Sequence, residues 1–403
     1  MKKNILIVSH AMELGGAERS LIGLLETIDY SKYSVDLFLL RHEGELFTSI
    51  PENVNVLDEI SSYTVLARPI KQVLFEGHIL LALARLYGKL KAYYVDNKIK
   101  GNNNQIDSLI SLEYSHKYTY RLMPKIQFNT CYDLAISFLT PHYIVANNVN
   151  ARKKIAWIHT DYSRVRLDVS SEMKMWNAYD NIVSISEDVT KSFINVFPTL
   201  KHKIQLIENI LPAKLVIKQS NEFSVIEEMP EDTIRILSIG RYCTAKNFDS
   251  VPSICKKIIE KGLNIRWYLI GFGSDEKLIK SHILKNNMQS NVILLGKRAN
   301  PYPYLKACDL YVQPSRYEGK SVTVREAQIL AKPVVITNYA TSNSQLEDGI
   351  DGIIVPLEVN RCSEEIALLL QNKKRLNALK LNCMNRNYTN ENEIKKVYKL
   401  IDS

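Results

Sequence analysis

The sequence predicts an α/β protein with two domains, each built on a parallel β-sheet. Short apolar runs rich in Val, Ile and Leu alternate with helical patterns along the chain, which is typical of parallel strands covered on both faces. Seven such runs precede a polar stretch at 218–232, and six follow it. At 403 residues the chain is longer than one hydrophobic core usually serves. We therefore expect two Rossmann-like domains whose parallel sheets face an interdomain cleft.

The predicted strands follow from these runs in chain order. The first domain is expected to hold Asn4–Ser9, Val35–Leu40, Val54–Ile60, Leu134–Phe138, Ile155–His159, Ile182–Ser186 and Ile204–Glu208, and the second Ile234–Gly240, Trp267–Gly271, Val292–Gly296, Leu310–Gln313, Pro333–Thr337 and Gly352–Val355. We place the first domain at 1–212, with an insertion at about 62–130, and the second at 213–388. A final helix within 389–403 is expected to return to the first domain.

Composition narrows the class of protein. The apolar fraction is 46% and the charged fraction 24%, as in ordinary soluble globular proteins. No apolar run approaches the roughly 18 residues of a membrane-spanning helix, and the apolar start of the chain is too short for a signal sequence. Six scattered cysteines without a C-x2-C pair indicate reduced core thiols, and neither a disulfide framework nor a zinc site. We expect a cytoplasmic protein.

The formal net charge of +9 indicates an anionic partner. Much of the excess lies at 68–100, where basic residues alternate with leucines in a helical pattern. This pattern is typical of a segment on an anionic membrane surface, with Arg85 and Lys89 contacting lipid. It fits equally a solvated helix whose leucines pack inside. No nucleic-acid motif is present, so we expect no nucleic-acid partner.

Two glycines, Gly15 and Gly16, follow the first predicted strand and begin a helix. Glycines at this point allow a ligand to approach the backbone closely, and the start of a helix favours anions. The dinucleotide fingerprint G-x-G-x-x-G is absent here and at Gly271-Phe272-Gly273. A tight turn without a ligand fits the same residues.

Two cations, Arg241 and Lys246, follow the first strand of the second domain. Both could reach one diphosphate, the guanidinium by paired hydrogen bonds and the ammonium as a point charge. The alternative is a surface pair without a ligand.

Two glutamates, Glu318 and Glu326, stand eight residues apart after another predicted strand. Glu326, one to two turns inside a helix, is placed to accept bonds from both ribose hydroxyls of a nucleotide, and Glu318 would meet the other end of the ligand. The N–H groups from Lys320 to Thr323 are expected to be free for a phosphate. Alternatively, Thr323 and Glu326 form a capping box and do nothing else.

Together these motifs resemble the retaining glycosyltransferases of family four, which have the GT-B fold. The resemblance rests on G-G-A-E-R at 15–19, the loop at 240–246, G-F-G at 271–273, and Pro314-Ser315 followed by E-x7-E, in the family's order as far as about Pro356. One departure is that the family's E-G-F-G reads Glu318-Gly319-Lys320-Ser321 here, which loses one glycine although Ser321 can cap a helix or bond a phosphate.

The resemblance implies a role for each matching residue. Glu326 would bind the ribose and Glu318 the donor sugar, while Arg241 and Lys246 would neutralise the diphosphate; His159 matches a histidine near the donor sugar, and Arg298 a segment that holds the base. The expected catalytic residues are Glu318, His159, Arg241 and Lys246, and the expected donor-binding residues are Gly15, Gly16, Gly271, Arg298, Lys320, Ser321, Val322 and Glu326.

The resemblance also implies a UDP-linked sugar donor, held mainly by the second domain, and a glycan or polyprenyl-diphosphate-linked acceptor, held by the first. Transfer with retention, in cell-envelope polysaccharide assembly, would follow. No D-x-D motif is present, so we expect no metal cofactor, with cations and a helix N-terminus taking its place. A sugar-nucleotide epimerase and a non-catalytic partner subunit of the same architecture are the alternatives; a nicotinamide dehydrogenase lacks its fingerprint.

Overall fold

The computed structural model of the chain describes residues 2–99, 107–318 and 321–402, without the side chains of Asp107 and Arg164. The chain forms two compact units. The first unit consists of Met1–Ile210 together with Asn390–Ser403, and the second of Leu211–Thr389. Among the described residues, no helix combines the length and the hydropathy that crossing a bilayer requires.

Strands occur throughout both units. They are β1 (Lys3–Ser9), β2 (Tyr33–Leu39), β3 (Asn55–Val56), β4 (Asp107–Ser108), β5 (Tyr132–Ser137), β6 (Ala151–Ile158), β7 (Val165–Arg166), β8 (Asn181–Ser184), β9 (Ile204–Leu206), β10 (Ile234–Ile239), β11 (Ile265–Ile270), β12 (Val292–Gly296), β13 (Leu310–Gln313), β14 (Val334–Thr337) and β15 (Ile353–Val355).

Helices connect nearly all of these strands. They are α1 (Gly16–Thr27), α2 (Ser61–Thr64), α3 (Ile70–Phe75), α4 (Ile79–Ile99), α5 (Ile110–Thr119), α6 (His142–Asn148), α7 (Val169–Trp176), α8 (Glu187–Val196), α9 (Ala213–Gln219), α10 (Val251–Glu260), α11 (Glu276–Lys285), α12 (Tyr302–Ala307), α13 (Val322–Ile329), α14 (Ser342–Gln345), α15 (Val359–Gln371), α16 (Lys373–Met384) and α17 (Ile394–Asp402).

The first unit is built on a seven-stranded sheet in the order β3-β2-β1-β5-β6-β8-β9, with all neighbours parallel. Its central strands are apolar and buried on both faces, as the continuous run Ile5–Val8 in β1 illustrates. A separate parallel pair, β4 and β7, lies outside this sheet. The strand order turns back between β1 and β5, so the loops after these two strands share one sheet edge.

The second unit is built on a six-stranded parallel sheet in the order β12-β11-β10-β13-β14-β15. Buried residues form one core on each face of this sheet, for example Ile236 and Trp267 on one face and Leu237 and Tyr311 on the other. The two parallel sheets confirm the predicted α/β fold.

The last helix, α17, packs on the first unit. The ring of Tyr398 stacks on that of Tyr33 with centroids 4.5 Å apart, and the Tyr398 hydroxyl accepts a hydrogen bond from the Asp29 N–H at 2.8 Å. Just before the helix, Glu393 accepts a bond from the N–H of Glu208 at 3.0 Å. These contacts explain why 390–402 belongs with the N-terminal sheet.

The structure of helix α4 corrects two expectations for the basic stretch at 68–100. Its leucines Leu80, Leu83 and Leu90 are exposed, so the interpretation in which the leucines pack inside is wrong. Arg85, expected to contact lipid, is buried and donates to the carbonyl groups of Val65 and Arg68. This expectation is wrong because a guanidinium can satisfy carbonyl groups that α4 covers.

Candidate functional site

The second sheet has its topological switch point between β10 and β13. Strands β11 and β12 extend from β10 in one direction, whereas β14 and β15 extend from β13 in the other. In open parallel sheets, ligands bind beyond the carboxyl ends of the strands at such a point. The loops after these two strands, 240–247 and 314–321, carry the predicted cations and the first predicted glutamate.

The two loops are joined by Lys246 and Glu318. Lys246 Nζ donates a hydrogen bond to Glu318 Oε1, and the two side chains are 19% and 12% exposed. The hydroxyl of Ser315 donates to the same oxygen at 2.6 Å. The cation expected to bind a diphosphate is thus held by the carboxylate expected to bind the sugar. A phosphate that binds Lys246 must compete with Glu318 or share the ammonium with it.

A chain of buried hydrogen bonds that begins in β13 orients the side chain of Glu318. Gln313 Nε2 donates to Ser315 Oγ at 2.9 Å and lies 3.4 Å from Glu318 Oε1. The Tyr311 hydroxyl in turn donates to Gln313 Oε1 at 2.5 Å. Such a network fixes the position of the carboxylate because each member is buried and oriented by the next. The sequence patterns did not indicate this role for Gln313, although a polar residue that ends a buried strand was the available signal.

A second link between the loops is the ion pair of Arg316 and Asp249. Two N–H···O bonds of 2.9 and 2.7 Å join the guanidinium to the carboxylate, and Arg316 also donates to the Thr244 carbonyl at 2.7 Å. Burial alone would raise the pKa of Asp249, but the hydrogen bonds from Arg316 lower it below its usual value. This paired geometry holds the loop that carries Lys246 against the loop that carries Glu318. Neither residue was predicted.

Gly271 allows the loop after β11 to pack against the loop after β10. Its φ is +153°, and a Cβ atom there would lie 1.8 Å from the carbonyl oxygen of Gly240. A Cβ atom on Gly240 would in turn lie 3.1 Å from Lys246 Cε. Gly271 is therefore required for this close packing, which is a reason for it besides its predicted contact with the donor. A side chain at Gly240 would displace only the flexible Lys246 side chain by a small distance.

Glu326 lies inside α13 and is completely buried. Its Oε1 accepts a hydrogen bond from the Tyr302 hydroxyl at 2.7 Å. The capping-box alternative is wrong, since α13 starts at Val322 with Ser321 as N-cap, and Thr323 is already helical. A ribose could reach Glu326 only after a neighbour such as Tyr302 moves.

The start of α13 is partly occupied by the protein itself. The Ser321 N–H donates to Gln345 Oε1 at 2.6 Å, and Gln345 Nε2 returns a bond to the Ser321 carbonyl at 3.1 Å. The prediction that all N–H groups from 320 to 323 are free is therefore wrong for Ser321. Those of Val322 and Thr323 have no intrahelical acceptor by helix geometry and remain suited to an anion. Lys320 lies outside the described residues.

The side chain of Arg298, after β12, is held by its own unit. It forms an ion pair with Glu228, and its Nε donates to the Tyr304 hydroxyl at 2.8 Å. The Tyr304 hydroxyl donates to the other Glu228 oxygen at 2.5 Å, and this bond and those from Arg298 lower the pKa of Glu228. This arrangement leaves the backbone near Arg298, and not its guanidinium, as the part suited to a base.

Three other predicted residues differ in their surroundings. Arg241 is exposed, and its guanidinium has no ion pair within the ranges that the structure describes. Gly15 is the N-cap of α1 and Gly16 its first residue. A Cβ atom on Gly16 would meet nothing within 4 Å, whereas one on Gly15 would meet Glu18. There is thus open space beside Gly16, in the first unit.

His159 follows β6 in the first unit. Its ring lies 4.9 Å from that of Phe138, and its Nε2 is buried without a hydrogen-bond partner among the described residues. Burial lowers its pKa to about 4, so the imidazole is neutral at neutral pH. A neutral histidine with a free ring nitrogen can bond a hydroxyl group.

A cavity of about 110 Å³ adjoins His159 and contains several other titratable groups. Burial raises the pKa of Glu113 to about 7 and that of Glu172 to about 8. It lowers the pKa of both His116 and His142 to about 3. At neutral pH the two histidines are therefore uncharged, Glu172 is largely protonated and Glu113 is partly so. The rest of the lining is mostly apolar. A few uncharged polar groups in an apolar cavity suit a hydroxylated ligand or water.

Residues 219–386 match the model of the family "Glycosyl transferases group 1". The matched residues lie within the second unit. The Lys246–Glu318 pair, Gly271, Arg298 and Glu326 all lie within the matched residues, whereas Gly15, Gly16 and His159 lie outside them.

Curated relatives match part of the chain. An uncharacterized glycosyltransferase of Methanocaldococcus jannaschii, MJ1059, is 26% identical over 225 residues, which cover 53% of this chain and 54% of the relative. A UDP-Gal:alpha-D-GlcNAc-diphosphoundecaprenol alpha-1,3-galactosyltransferase of Escherichia coli is 29% identical over 169 residues, or 41% of this chain and 43% of the relative. The match thus spans about half the length of these relatives or less.

A solved structure matches nearly the whole chain. Anabaena HepE in complex with UDP-glucose aligns with a TM-score of 0.67 and 15% identity, covering 99% of both chains. At this identity the likeness concerns the fold, which is the predicted GT-B architecture.

Proposed function

We propose that this protein is a glycosyltransferase that transfers a sugar from a UDP-linked donor to a glycan or lipid-linked glycan, with retention of configuration, in cell-envelope polysaccharide assembly. The observation that carries the proposal is the Lys246–Glu318 pair at the switch point between β10 and β13, within the residues that match the glycosyl transferases group 1 model. An ammonium and a carboxylate at one sheet edge suit the two halves of a sugar nucleotide, the phosphates and the sugar hydroxyls.

In this proposal the second domain, 213–388, binds the donor. Lys246 and Arg241 contact the diphosphate, and the N–H groups at the start of α13, at Val322, add partial positive charge. Glu318 accepts hydrogen bonds from the sugar, and Glu326 from the ribose. Binding replaces the internal Lys246–Glu318 contact with two contacts to the ligand, so the pair holds both groups in place before the donor arrives.

The proposed chemistry needs no protein nucleophile. The bond between the anomeric carbon and the diphosphate breaks, the acceptor oxygen bonds to the same face of that carbon, and the acceptor proton passes to the leaving phosphate. Cations and amides already in position stabilise the charge that develops on this phosphate. In this proposal Lys246 and Arg241 stabilise the negative charge of the leaving phosphate without a metal ion. We therefore expect transfer to persist in the presence of EDTA.

The first domain, 1–212, is proposed to bind the acceptor. His159 has a free ring nitrogen beside an apolar cavity with a few polar groups, which suits the hydroxyl groups and the apolar faces of a sugar. The name of the E. coli relative specifies a diphosphoundecaprenol-linked acceptor, which supports a lipid-linked acceptor for this chain. A lipid-linked acceptor would bring the protein to the inner face of the cytoplasmic membrane.

Calorimetric titration of UDP, GDP and ADP, with chelator present, tests the donor site first. We expect UDP to bind, and Lys246→Ala to weaken binding at least about tenfold, since it removes a charge-assisted bond. Lys261→Ala, an exposed lysine at the end of α10, is the matched control. No binding of any nucleotide would favour a non-catalytic subunit. Conversion of a UDP-sugar to its stereoisomer without an acceptor would favour an epimerase.

A further inference from the structure

Helix α4 presents an apolar surface to solvent. The exposed fractions of Leu80, Leu83 and Leu90 are 68%, 54% and 63%, and that of Phe75, at the end of the preceding α3, is 92%. Solvent-facing helix surfaces of globular proteins are normally polar. Large contiguous apolar patches on a protein surface generally mark a site of contact with a partner or a membrane.

The exposed apolar residues form one continuous stripe. They recur every three or four positions, which places them on one side of the helix, and we call Ile79, Leu80, Leu83, Leu86, Tyr87, Leu90, Tyr93 and Tyr94 the outer stripe. The opposite side of α4 is the one that packs on the unit, through Leu81, Ala82, Arg85, Gly88 and Ala92. The helix is therefore apolar on two sides, and among the described residues only the inner side is covered.

Gly88 shows that the packed side is the inner one. A Cβ atom at Gly88 would lie 2.8 Å from the carbonyl oxygen of Tyr114 in α5. This close approach fixes the rotation of α4, because any other rotation would bring a side chain against α5. The outer stripe is thus a consequence of tight packing on the other side, and the helix cannot turn its leucines inward.

The charges beside the outer stripe are positive. At 100° per residue, Lys89 lies on one side of the stripe and Lys91 on the other, and both are exposed. Lys71 in α3 is exposed as well. The acidic groups nearby are engaged, since Glu76 pairs with Arg68 and Asp96 with Arg166.

We propose that the outer stripe of α4, with Phe75 and the flanking lysines, docks on an anionic lipid bilayer, with the helix lying in the plane of the surface. An apolar stripe with lysines on both sides matches the boundary between acyl chains and anionic headgroups, where leucines enter and ammonium groups remain in water. The outer stripe runs from Ile79 to Tyr94, so the contact is about 24 Å long. The inference rests on the proposed function and deepens it, because a lipid-linked acceptor lies at a membrane surface.

Vesicle flotation tests this docking. Full-length protein is mixed with vesicles of phosphatidylcholine alone or with about one third phosphatidylglycerol, at low and high salt. We expect binding to the anionic vesicles and weak binding to the neutral ones. Lys89→Gln with Lys91→Gln should lower the partition coefficient about 25-fold, at roughly fivefold for each lysine. High salt should weaken binding in the same direction.

A leucine pair tests the apolar half of the surface. Leu83→Glu with Leu90→Glu should lower the partition coefficient at least about 100-fold, since each substitution removes a leucine side chain that would insert into the acyl chains. The matched control is Leu284→Glu with Leu368→Glu, two leucines of the second unit that are 60% and 54% exposed. All four positions are exposed, so we expect folded proteins, checked by circular dichroism.

Several results would overturn the docking proposal. These are no flotation with anionic vesicles, equal flotation of the leucine variant and its control, or a wild-type dimer that the leucine variant alone dissociates, which would identify a second copy as the occupant. UDP binding by the same variants is measured in parallel. Loss of flotation with unchanged UDP binding supports the docking, whereas absent UDP binding with normal flotation would contradict the donor site and leave the docking intact.

Discussion

Glu318 and Lys246 are bonded to each other across the switch point of the second sheet, with Ser315 on the same carboxylate oxygen. Each group therefore has a partner before any ligand binds. A donor must replace these internal bonds with bonds to itself. Its affinity therefore depends on the difference in free energy between the bonds that it forms and the internal bonds that are lost.

Replacing Glu318 by Gln separates the two proposed roles. Gln keeps the size of the side chain but not its charge, so it holds Lys246 less strongly and leaves the ammonium available to phosphate. We expect UDP to bind about three- to tenfold more tightly while sugar transfer falls at least about 100-fold. Calorimetry and a UDP-release assay measure the two effects, with the exposed Glu364→Gln as control. Weaker UDP binding in Glu318→Gln would contradict the competition.

The Arg316–Asp249 pair should position Lys246 without touching the donor. Lysine cannot reproduce two parallel bonds to a carboxylate, so Arg316→Lys should loosen the loop and weaken UDP binding about tenfold.

A control of the same kind exists at the opposite edge of the sheet. Arg235 at the start of β10 pairs with Asp309, just before β13, through two contacts of 3.2 Å. Arg235→Lys removes a similar pair between the same two strands but far from the loops, and UDP binding should stay within twofold of wild type, about 0.4 kcal/mol. Equal weakening in both variants would indicate a general loss of stability instead.

The buried carboxyl groups of the first unit predict a loss of stability toward alkaline pH. The folded pKa of Glu172, about 8, lies above its ordinary value of 4.5, so its contribution is complete below about pH 4.5 and is lost as pH rises through 8. Glu172→Gln keeps the acceptor for Trp176 Nε1, which lies 3.1 Å from Glu172. At pH 9 this variant should be more stable than wild type by on the order of 2 kcal/mol.

Thermal unfolding between pH 4 and pH 9 measures this effect, with Glu364→Gln as control. The buried histidines should make both wild type and the Glu172 variant lose stability at acid pH. Burial lowers the pKa of His116 and His142 from 6.5 to about 3, so their contribution is present above pH 6.5 and is lost as pH falls toward 3. If the stability of wild type and of Glu172→Gln fell equally between pH 7 and pH 9, the raised pKa of Glu172 would be refuted.

The contact of α17 with the first unit predicts a local effect of Tyr398. Tyr398→Ala removes the stack on Tyr33 and the bond to Asp29, and should cost about 2 kcal/mol of local stability. Tyr398→Phe keeps the stack and should cost about 1 kcal/mol. Hydrogen exchange of the segment around Asp29 and β2 reads out both variants. Equal exchange in wild type and Tyr398→Ala would show that the stack contributes nothing.

The positions of the strands were predictable because a strand buried on both faces needs a continuous apolar run. Leu310–Gln313 and Val292–Gly296 were predicted with the bounds that the structure has. The short pair β4 and β7 was not, because two residues of Asp107–Ser108 carry no periodicity. The common edge of the loops after β10 and β13 also followed, since both loops come after strands of one predicted parallel sheet. The order of the strands in that sheet was not predicted.

The orientation of side chains was less predictable. In a helix that is apolar on two sides, the sequence pattern does not show which side packs on the protein. For α4 the close contact of Gly88 with α5 decides it. The Lys246–Glu318 bond joins positions 72 residues apart, and local spacing carries no information on such a contact. The capping-box alternative failed because Thr323 lies two residues past the N-cap, a shift that spacing alone does not reveal.

The return of α17 to the first unit has a consequence for synthesis of the chain. Strand β2 and its neighbours leave the ribosome early, but Tyr398, which stacks on Tyr33, is translated only after the whole of Leu211–Thr389. The second unit can therefore complete its core during translation, while the N-terminal unit lacks its last helix until translation ends. We therefore expect a chaperone that binds nascent chains to contact the first unit, which is synthesised early but completed last, and not the second unit.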